Sequence, residues 1–219
     1  MLDTLKGFLY VIPGVIIALS FHEWGHAFAA YKMGDPTARN LGRLTLNPLA
    51  HIDPMGFLMM VIVGFGWAKP VPVNPNNYRN YKKGELVVSL AGVTMNLILA
   101  IIGALVFTLL LKLGNVGTLR MSSSFLTAMQ ILGSFIFLNL CLLVFNLLPV
   151  FPLDGFHVAE VLFSKTLGAK PFIFLKRYGQ YILIAILLFG RFSTVSPIGA
   201  AAEWLYTGLM SIFYTLFGI

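Results

Sequence analysis

The chain has 219 residues, of which 58% are hydrophobic and 11% are charged. Soluble domains are about half apolar and a quarter charged, so this composition excludes an ordinary soluble domain and indicates a protein of the lipid bilayer. The net charge of +7 comes from basic residues scattered between apolar runs, without the basic face that nucleic-acid binding requires. The single cysteine, Cys141, excludes an intramolecular disulfide and a thiolate metal cluster.

Four long apolar runs approach or exceed the roughly 20 residues that a spanning helix needs. They cover residues 5–31, 86–111, 125–148 and 195–217. A fifth run, 178–190, is shorter, but residues 172–175 extend it because Lys176 and Arg177 can snorkel to the interface. We therefore predict an all-α polytopic membrane protein with about five transmembrane helices.

Residues 55–67 form an apolar segment that is too short to cross a bilayer. The segment contains Gly56, Gly64 and Gly66 and runs into Pro70 and Pro72. This pattern is typical of a re-entrant or interfacial segment, and we predict that it carries a short β-hairpin.

The loop charges favour the re-entrant interpretation, because Lys and Arg accumulate in short cytoplasmic loops. If residues 55–67 do not cross, eleven of the fifteen Lys and Arg residues lie on one side. If they do cross, the division becomes nine to six. The sequence thus predicts a multi-pass cell-membrane protein with its N-terminus outside and its C-terminus in the cytoplasm.

The first apolar run contains the motif His22-Glu23-Trp24-Gly25-His26. Four residues make about one helical turn, so both imidazoles project from one face at a separation that suits one tetrahedral zinc ion. Glu23 is offset by roughly 100° and can reach a water molecule at the metal without being a ligand. The motif predicts a zinc site with Glu23 activating the water.

The depth of this motif in the membrane distinguishes between two interpretations. One is a metal site, and the other is an interfacial or core hydrogen-bond network. Counting back from Lys32, His26 lies about 9 Å and His22 about 15 Å inside the cytoplasmic end of the helix. A charged glutamate at such depth costs on the order of 2.5 kcal/mol or more unless it is paired. Ionisable groups inside a membrane are therefore functional by default, which favours the metal site over the hydrogen-bond network.

A third zinc ligand is expected from the motif NLLPVFPLDG at residues 146–155, and Asp154 is the leading candidate. Pro149 and Pro152 must break the preceding helix, and Gly155 allows close backbone approach. The stretch can therefore dip as irregular backbone towards a polar cavity, on the same side as the histidines. His157 is the alternative ligand, although a role beside the ligand set suits it better.

The chain resembles the site-2 proteases, which are intramembrane zinc metalloproteases. Three blocks carry the resemblance: HEWGH at 22–26, GRLTLNP with HIDPMG between 42 and 56, and NLLPVFPLDG at 146–155. The resemblance covers about residues 5–162 and implies one Zn²⁺ per chain held by His22, His26 and Asp154, with Glu23 as the catalytic base. It implies a zinc metalloendopeptidase that hydrolyses peptide bonds in or near transmembrane segments during regulated intramembrane proteolysis.

These features predict one membrane-embedded metalloprotease domain over residues 1–219, with a catalytic core at about 5–162 and C-terminal helices at about 172–217. The expected partners are transmembrane protein substrates and the lipid bilayer, with room for a regulatory membrane partner and no nucleic acid. The natural substrate, the cleavage site, the activating signal and the oligomeric state stay open.

Several further residues are candidates for binding substrate. Asn96 and Asn146 are equally suited to contact the substrate backbone or to join helices. Residues 64–73 form a candidate edge strand beside which an unfolded substrate could add, and Gly64, Gly66 and Val71 are its proposed binding residues. A surface hairpin that anchors Trp67 at the interface is the alternative.

Two other functions fit parts of the pattern. A metal-ion transporter also uses intramembrane histidines and carboxylates, but it has no need of Glu23 beside His22. A metal-free scaffold would have no need of the full set of ligands.

For His51, a loop hydrogen-bond network is the simplest interpretation.

Overall fold

The computed structural model describes residues 2–63, 66–114, 122–192 and 196–219. These ranges contain the helices α1 (Leu2–Met33), α2 (Thr37–Asn40), α3 (Pro54–Val63), α4 (Tyr81–Gly114), α5 (Ser123–Asn146), α6 (Asp154–Leu167), α7 (Lys170–Phe192) and α8 (Pro197–Phe217). Short 3₁₀ turns lie at Pro48–Ala50 and Pro75–Asn77. The predicted helical character is confirmed.

Three of the described helices are long and apolar enough to cross a membrane. They lie at Tyr81–Gly114, Ser123–Asn146 and Lys170–Gly190, which agrees with the predicted runs at 86–111, 125–148 and 172–190. The predicted spans at 5–31 and 195–217 fall on α1 and α8, which are not among these three, so their crossing stays a prediction. The chain is a membrane protein with at least these three candidate spans.

The contacts divide the chain into two compact units. The first consists of Met1–Ala18, Asn96–Val144 and Val195–Ile219. Its core cluster consists of Ala100, Ala104, Ile136, Leu140, Ala202 and Met210. At Gly103 an added Cβ would lie 2.9 Å from Ile136 Cγ1. Small residues of this kind let membrane helices approach closely, which strengthens van der Waals packing where lipid removes the usual hydrophobic driving force.

The second unit consists of Leu19–Met95 and Phe145–Thr194. Within it, α1 and α4 approach closely at Gly25, where an added Cβ would lie 2.7 Å from Met95 Cγ and 2.9 Å from Ala91 O. One turn further along α1, Ala30 packs with Tyr78 and Val88 in a small buried cluster. This close contact of α1 and α4 brings the histidine motif against the face of α4.

Helix α3 is flanked by two chain segments that lie side by side. Ile52 and Ala68 form an isolated antiparallel bridge, and Lys69 N–H donates to His51 O at 2.8 Å. The ten residues of α3 therefore leave and return at neighbouring positions. This geometry agrees with a segment that does not cross. Within the described ranges only this isolated bridge is found, so the predicted β-hairpin is not confirmed.

Asp35 ties the end of α1 to the segment that follows residue 73. Its carboxylate is fully buried and accepts hydrogen bonds from Asn74 N–H at 2.7 Å, Asn77 Nδ2 at 2.8 Å and Thr37 N–H at 3.1 Å. Burial raises the pKa of Asp35, but these hydrogen bonds outweigh it and hold the pKa below its usual range. The carboxylate thus stays ionised and anchors both segments.

Candidate metal centre

Two histidines of α1 and one aspartate of α6 converge on a single point. His22 Nε2 and His26 Nε2 are 3.0 Å apart, and Asp154 Oδ2 lies 3.5 Å and 3.4 Å from them respectively. Zinc bonds of 2.0–2.2 Å at tetrahedral angles place neighbouring ligand atoms about 3.3–3.6 Å apart. The three separations are close to that spacing, so the residues fit one zinc ion.

The tautomer of His26 is set by the hydrogen bond of its Nδ1, the ring nitrogen that is not one of the three converging atoms. Nδ1 of His26 lies 2.8 Å from Val88 O in α4, and a carbonyl oxygen can only accept, so Nδ1 carries the proton. The lone pair of a neutral ring is then on Nε2, which faces the other two donor atoms. This is the tautomer that a metal ligand needs.

Asp154 is placed by the break between α5 and α6. Helix α5 ends at Asn146, before Pro149, and α6 begins at Asp154. A Cβ on Gly155 would overlap the carbonyl groups of Leu147 and Leu148, so the glycine allows α6 to start close against the end of α5. Within the described chain, Asp154 Oδ2 is buried without a hydrogen-bond donor. A buried carboxylate oxygen in this state suits a cation.

Gly92 of α4 makes room for the donor atoms. A Cβ at this position would come to 2.7 Å from His22 Nε2 and closer still to His26 Nε2. Any side chain here would displace the imidazoles or fill the space between them. The glycine is therefore required by the site rather than by the helix, in which glycine costs about 1 kcal/mol relative to alanine.

Glu23 lies beside this cluster but outside it. Its side chain is buried, and its Oε2 accepts a hydrogen bond from Val71 N–H at 2.7 Å. In the described residues, the group of side chains that could hold a metal ion is His22, His26 and Asp154. The arrangement places three possible donors together, with a separate carboxylate at one side.

The other histidines are engaged elsewhere. His157 Nδ1 pairs with Glu85 Oε1 of α4 at 2.9 Å, which fits a role outside the metal ligand set. His51 is buried and its Nε2 lies 2.8 Å from Thr45 O, as expected for a loop network.

The candidate substrate residues occupy different environments. Asn96 is fully buried and its Nδ2 donates to Asn139 Oδ1 at 3.1 Å within the first unit, a contact that joins helices. Asn146 is the last residue of α5. A Cβ on Gly66 would overlap Gly56 O and crowd Met60, so this glycine permits packing on α3. Gly64 lies outside the described residues.

Sequence reasoning did not identify the supporting residues on α4. Val88 and Gly92 follow Glu85 by three and seven residues, which places all three on one helix face. Glu85 carried a usable signal, because a carboxylate near the start of an apolar run calls for a partner. The contribution of Val88 is its backbone carbonyl, which the identity of the side chain does not reveal.

The family comparison agrees with this geometry. Residues 10–190 match the model of Peptidase family M50, so the chain belongs to this family, which is that of the site-2 proteases. The protein is accordingly a zinc metalloprotease of the membrane, and zinc is its metal. The transporter and the metal-free scaffold are not supported.

Three relatives show how far the similarity extends. YwhC of Bacillus subtilis, named provisionally as a zinc metalloprotease, is 39% identical over 196 residues, which are 89% of this chain and 84% of YwhC. Rip2 of Mycolicibacterium smegmatis, named in the same way, is 35% identical over 70% of this chain and 57% of its own length. Zinc metalloprotease MJ0392 of Methanocaldococcus jannaschii is 25% identical over 82% of this chain and 42% of its own length. No solved structure matches the chain.

Gly92→Ala should lower zinc content and proteolytic activity together, because the added methyl group would occupy the space beside the two imidazoles. Zinc is measured by elemental analysis of the purified protein, and activity by cleavage of a transmembrane peptide. Gly208→Ala is the matched control, since in the described structure an added Cβ there meets no atom within 4 Å. Full zinc content and activity in Gly92→Ala would contradict the assigned role of Gly92.

Proposed function

We propose that this protease hydrolyses peptide bonds in or near transmembrane segments of membrane proteins. His22, His26 and Asp154 hold one zinc ion, and Glu23 is the general base. The observation that carries the proposal is the convergence of these three donors, whose ligand atoms lie within 4.8 Å of one another, beside the buried carboxylate of Glu23.

The chemistry divides between the metal and the protein. Bound zinc supplies Lewis acidity, which polarises a substrate carbonyl and makes water acidic enough to attack near neutral pH. Glu23 takes the proton of the attacking water and later delivers it to the leaving amine. The hydrogen bond between His26 Nδ1 and Val88 O holds the imidazole in the required orientation.

The position of the motif supports a membrane-embedded substrate. His22 lies about 15 Å and His26 about 9 Å along α1 from Lys32, a residue that suits the cytoplasmic interface. A peptide bond within a helix is poorly exposed, so the substrate must be locally unfolded. The non-helical residues 66–73 lie beside Glu23 through Val71, and an extended peptide adding along this segment would gain main-chain hydrogen bonds.

We also propose an orientation with the N-terminus outside and the C-terminus in the cytoplasm. The excess of Lys and Arg on one side supports it. The side-by-side position of Ile52 and Ala68 supports a segment 53–67 that returns to the side from which it came. The active site then opens towards the cytoplasm.

Single cysteines in a Cys141→Ala background should report this topology. Cysteines in place of Lys69, Lys82 and Lys165 should react with an impermeant maleimide from the cytoplasmic side. A cysteine in place of Arg120, which lies outside the described residues, should react from the opposite side. Reaction of positions 69 and 165 from opposite sides would end the re-entrant proposal.

Glu23→Gln should keep its zinc and lose nearly all cleavage, because the amide preserves the shape but cannot take the proton. Asp154→Ala should instead lose zinc, because a three-residue site loses one ligand. Both are measured on purified protein as zinc content and as turnover of a transmembrane peptide. Turnover by Glu23→Gln at the unsubstituted rate would refute the base assignment.

A further inference from the structure

The backbone amide of Val71 donates to the carboxylate of Glu23. Val71 N–H lies 2.7 Å from Glu23 Oε2, and this hydrogen bond is buried. The neighbours Pro70 and Pro72 carry no N–H, so Val71 supplies the only backbone donor that residues 70–72 can offer. A hydrogen bond to an ionised carboxylate is short and strong, and it holds one oxygen while the carboxylate has a second with which to accept a proton.

Lys69, two positions before Val71, is fixed through both of its backbone polar groups. Lys69 N–H donates to His51 O at 2.8 Å, and Lys69 O accepts from Arg43 Nη2 at 2.8 Å. Residues 69–71, which we call the strap, therefore cannot slide along the loop 41–53 without losing both bonds. The adjacent bridge between Ile52 and Ala68 fixes the same register.

The two ends of this arrangement are buried. His51 is 1% exposed, and its ring nitrogen contacts Thr45 O, which closes the loop on itself. Val71 is 8% exposed, and it packs in a buried cluster with Ala27 and Ala38. The strap is thus held by packing at Val71 and by hydrogen bonds at Lys69, and these contacts position the amide that donates to Glu23.

We propose that the Val71 amide positions Glu23 for proton transfer, and that Arg43 and His51 act as positioning residues through Lys69. This inference rests on the proposed role of Glu23 as the base. It assigns a function to the block at 42–56, which lies apart from the metal ligands in sequence. It also commits the Val71 N–H to the base rather than to the substrate backbone.

The direct test replaces one atom. Val71 is exchanged for α-hydroxyvaline, which turns the Pro70–Val71 amide into an ester and substitutes oxygen for N–H while keeping the side chain. We expect kcat for a transmembrane peptide to fall about 10- to 100-fold, the size of effect that a misplaced catalytic group produces, with KM and zinc content unchanged. Unchanged kcat at full zinc content overturns the proposal, as does a rise in KM alone.

A second ester serves as the matched control. Leu44 is exchanged for α-hydroxyleucine, because in the described structure no hydrogen bond is found for its N–H. This variant should keep kcat, since a loop ester by itself leaves Glu23 in place. An equal loss of kcat in both esters would overturn the proposal, because the loss would then not depend on the contact with Glu23.

Two variants of Arg43 provide the test if the Val71 ester is not recovered with full zinc content. Arg43→Ala should lower kcat at constant KM and zinc, and Arg43→Lys should restore part of it, because one donor to Lys69 O suffices. Equal kcat in Arg43→Ala and the unsubstituted protein overturns the proposal. Glu23→Gln is measured alongside: activity there refutes the proposed function itself, whereas an inactive Glu23→Gln beside a fully active Val71 ester refutes this inference alone.

Discussion

The candidate metal centre depends on one face of α4. Glu85, Val88 and Gly92 lie on this face, and each acts on one of the two helices that carry the donor atoms. Glu85 pairs with His157 of α6, Val88 O accepts from His26 of α1, and Gly92 leaves room for both imidazoles of α1. One helix face therefore holds both elements that carry the donor atoms. Zinc ligands must agree in position to a fraction of an ångström, and a rigid helix provides this better than a loop.

Glu23 depends on a different support. It sits one residue after His22, so α1 places it, but its carboxylate is oriented by the Val71 amide. That amide comes from a segment interrupted by Pro70 and Pro72, where the backbone offers few alternative donors. The base and the two histidines thus share one helix, but the base and the histidines are held by separate parts of the second unit.

The candidate ligands could be named from the sequence because each of them carries a local signal. His22 and His26 are one helical turn apart, and prolines mark the end of the helix before Asp154. The supports could not be predicted in the same way, because Val88 and Val71 act through backbone atoms that any residue possesses. Gly92 is explained only by the distance of a missing Cβ from two imidazoles on another helix.

The segment between α3 and α4 shows a similar limit. Its length and glycines predicted a turn back to the same side, and the Ile52–Ala68 bridge agrees with this. The hairpin is not confirmed, and a physical reason lies in Pro70 and Pro72, which cannot donate to a ladder of strand hydrogen bonds. Prolines in a sequence therefore predict an edge strand or an unpaired extended segment better than they predict a strand paired in a sheet.

The most direct test of the account is X-ray absorption spectroscopy at the zinc edge of the purified protein and of its Asp154→Ala and His157→Ala variants. The account predicts one zinc with two imidazole nitrogens and carboxylate oxygen among its ligands at about 2.0–2.2 Å. It also predicts that this signature is unchanged in His157→Ala and that zinc is lost in Asp154→Ala. A third imidazole that disappears in His157→Ala, with zinc retained in Asp154→Ala, would contradict it.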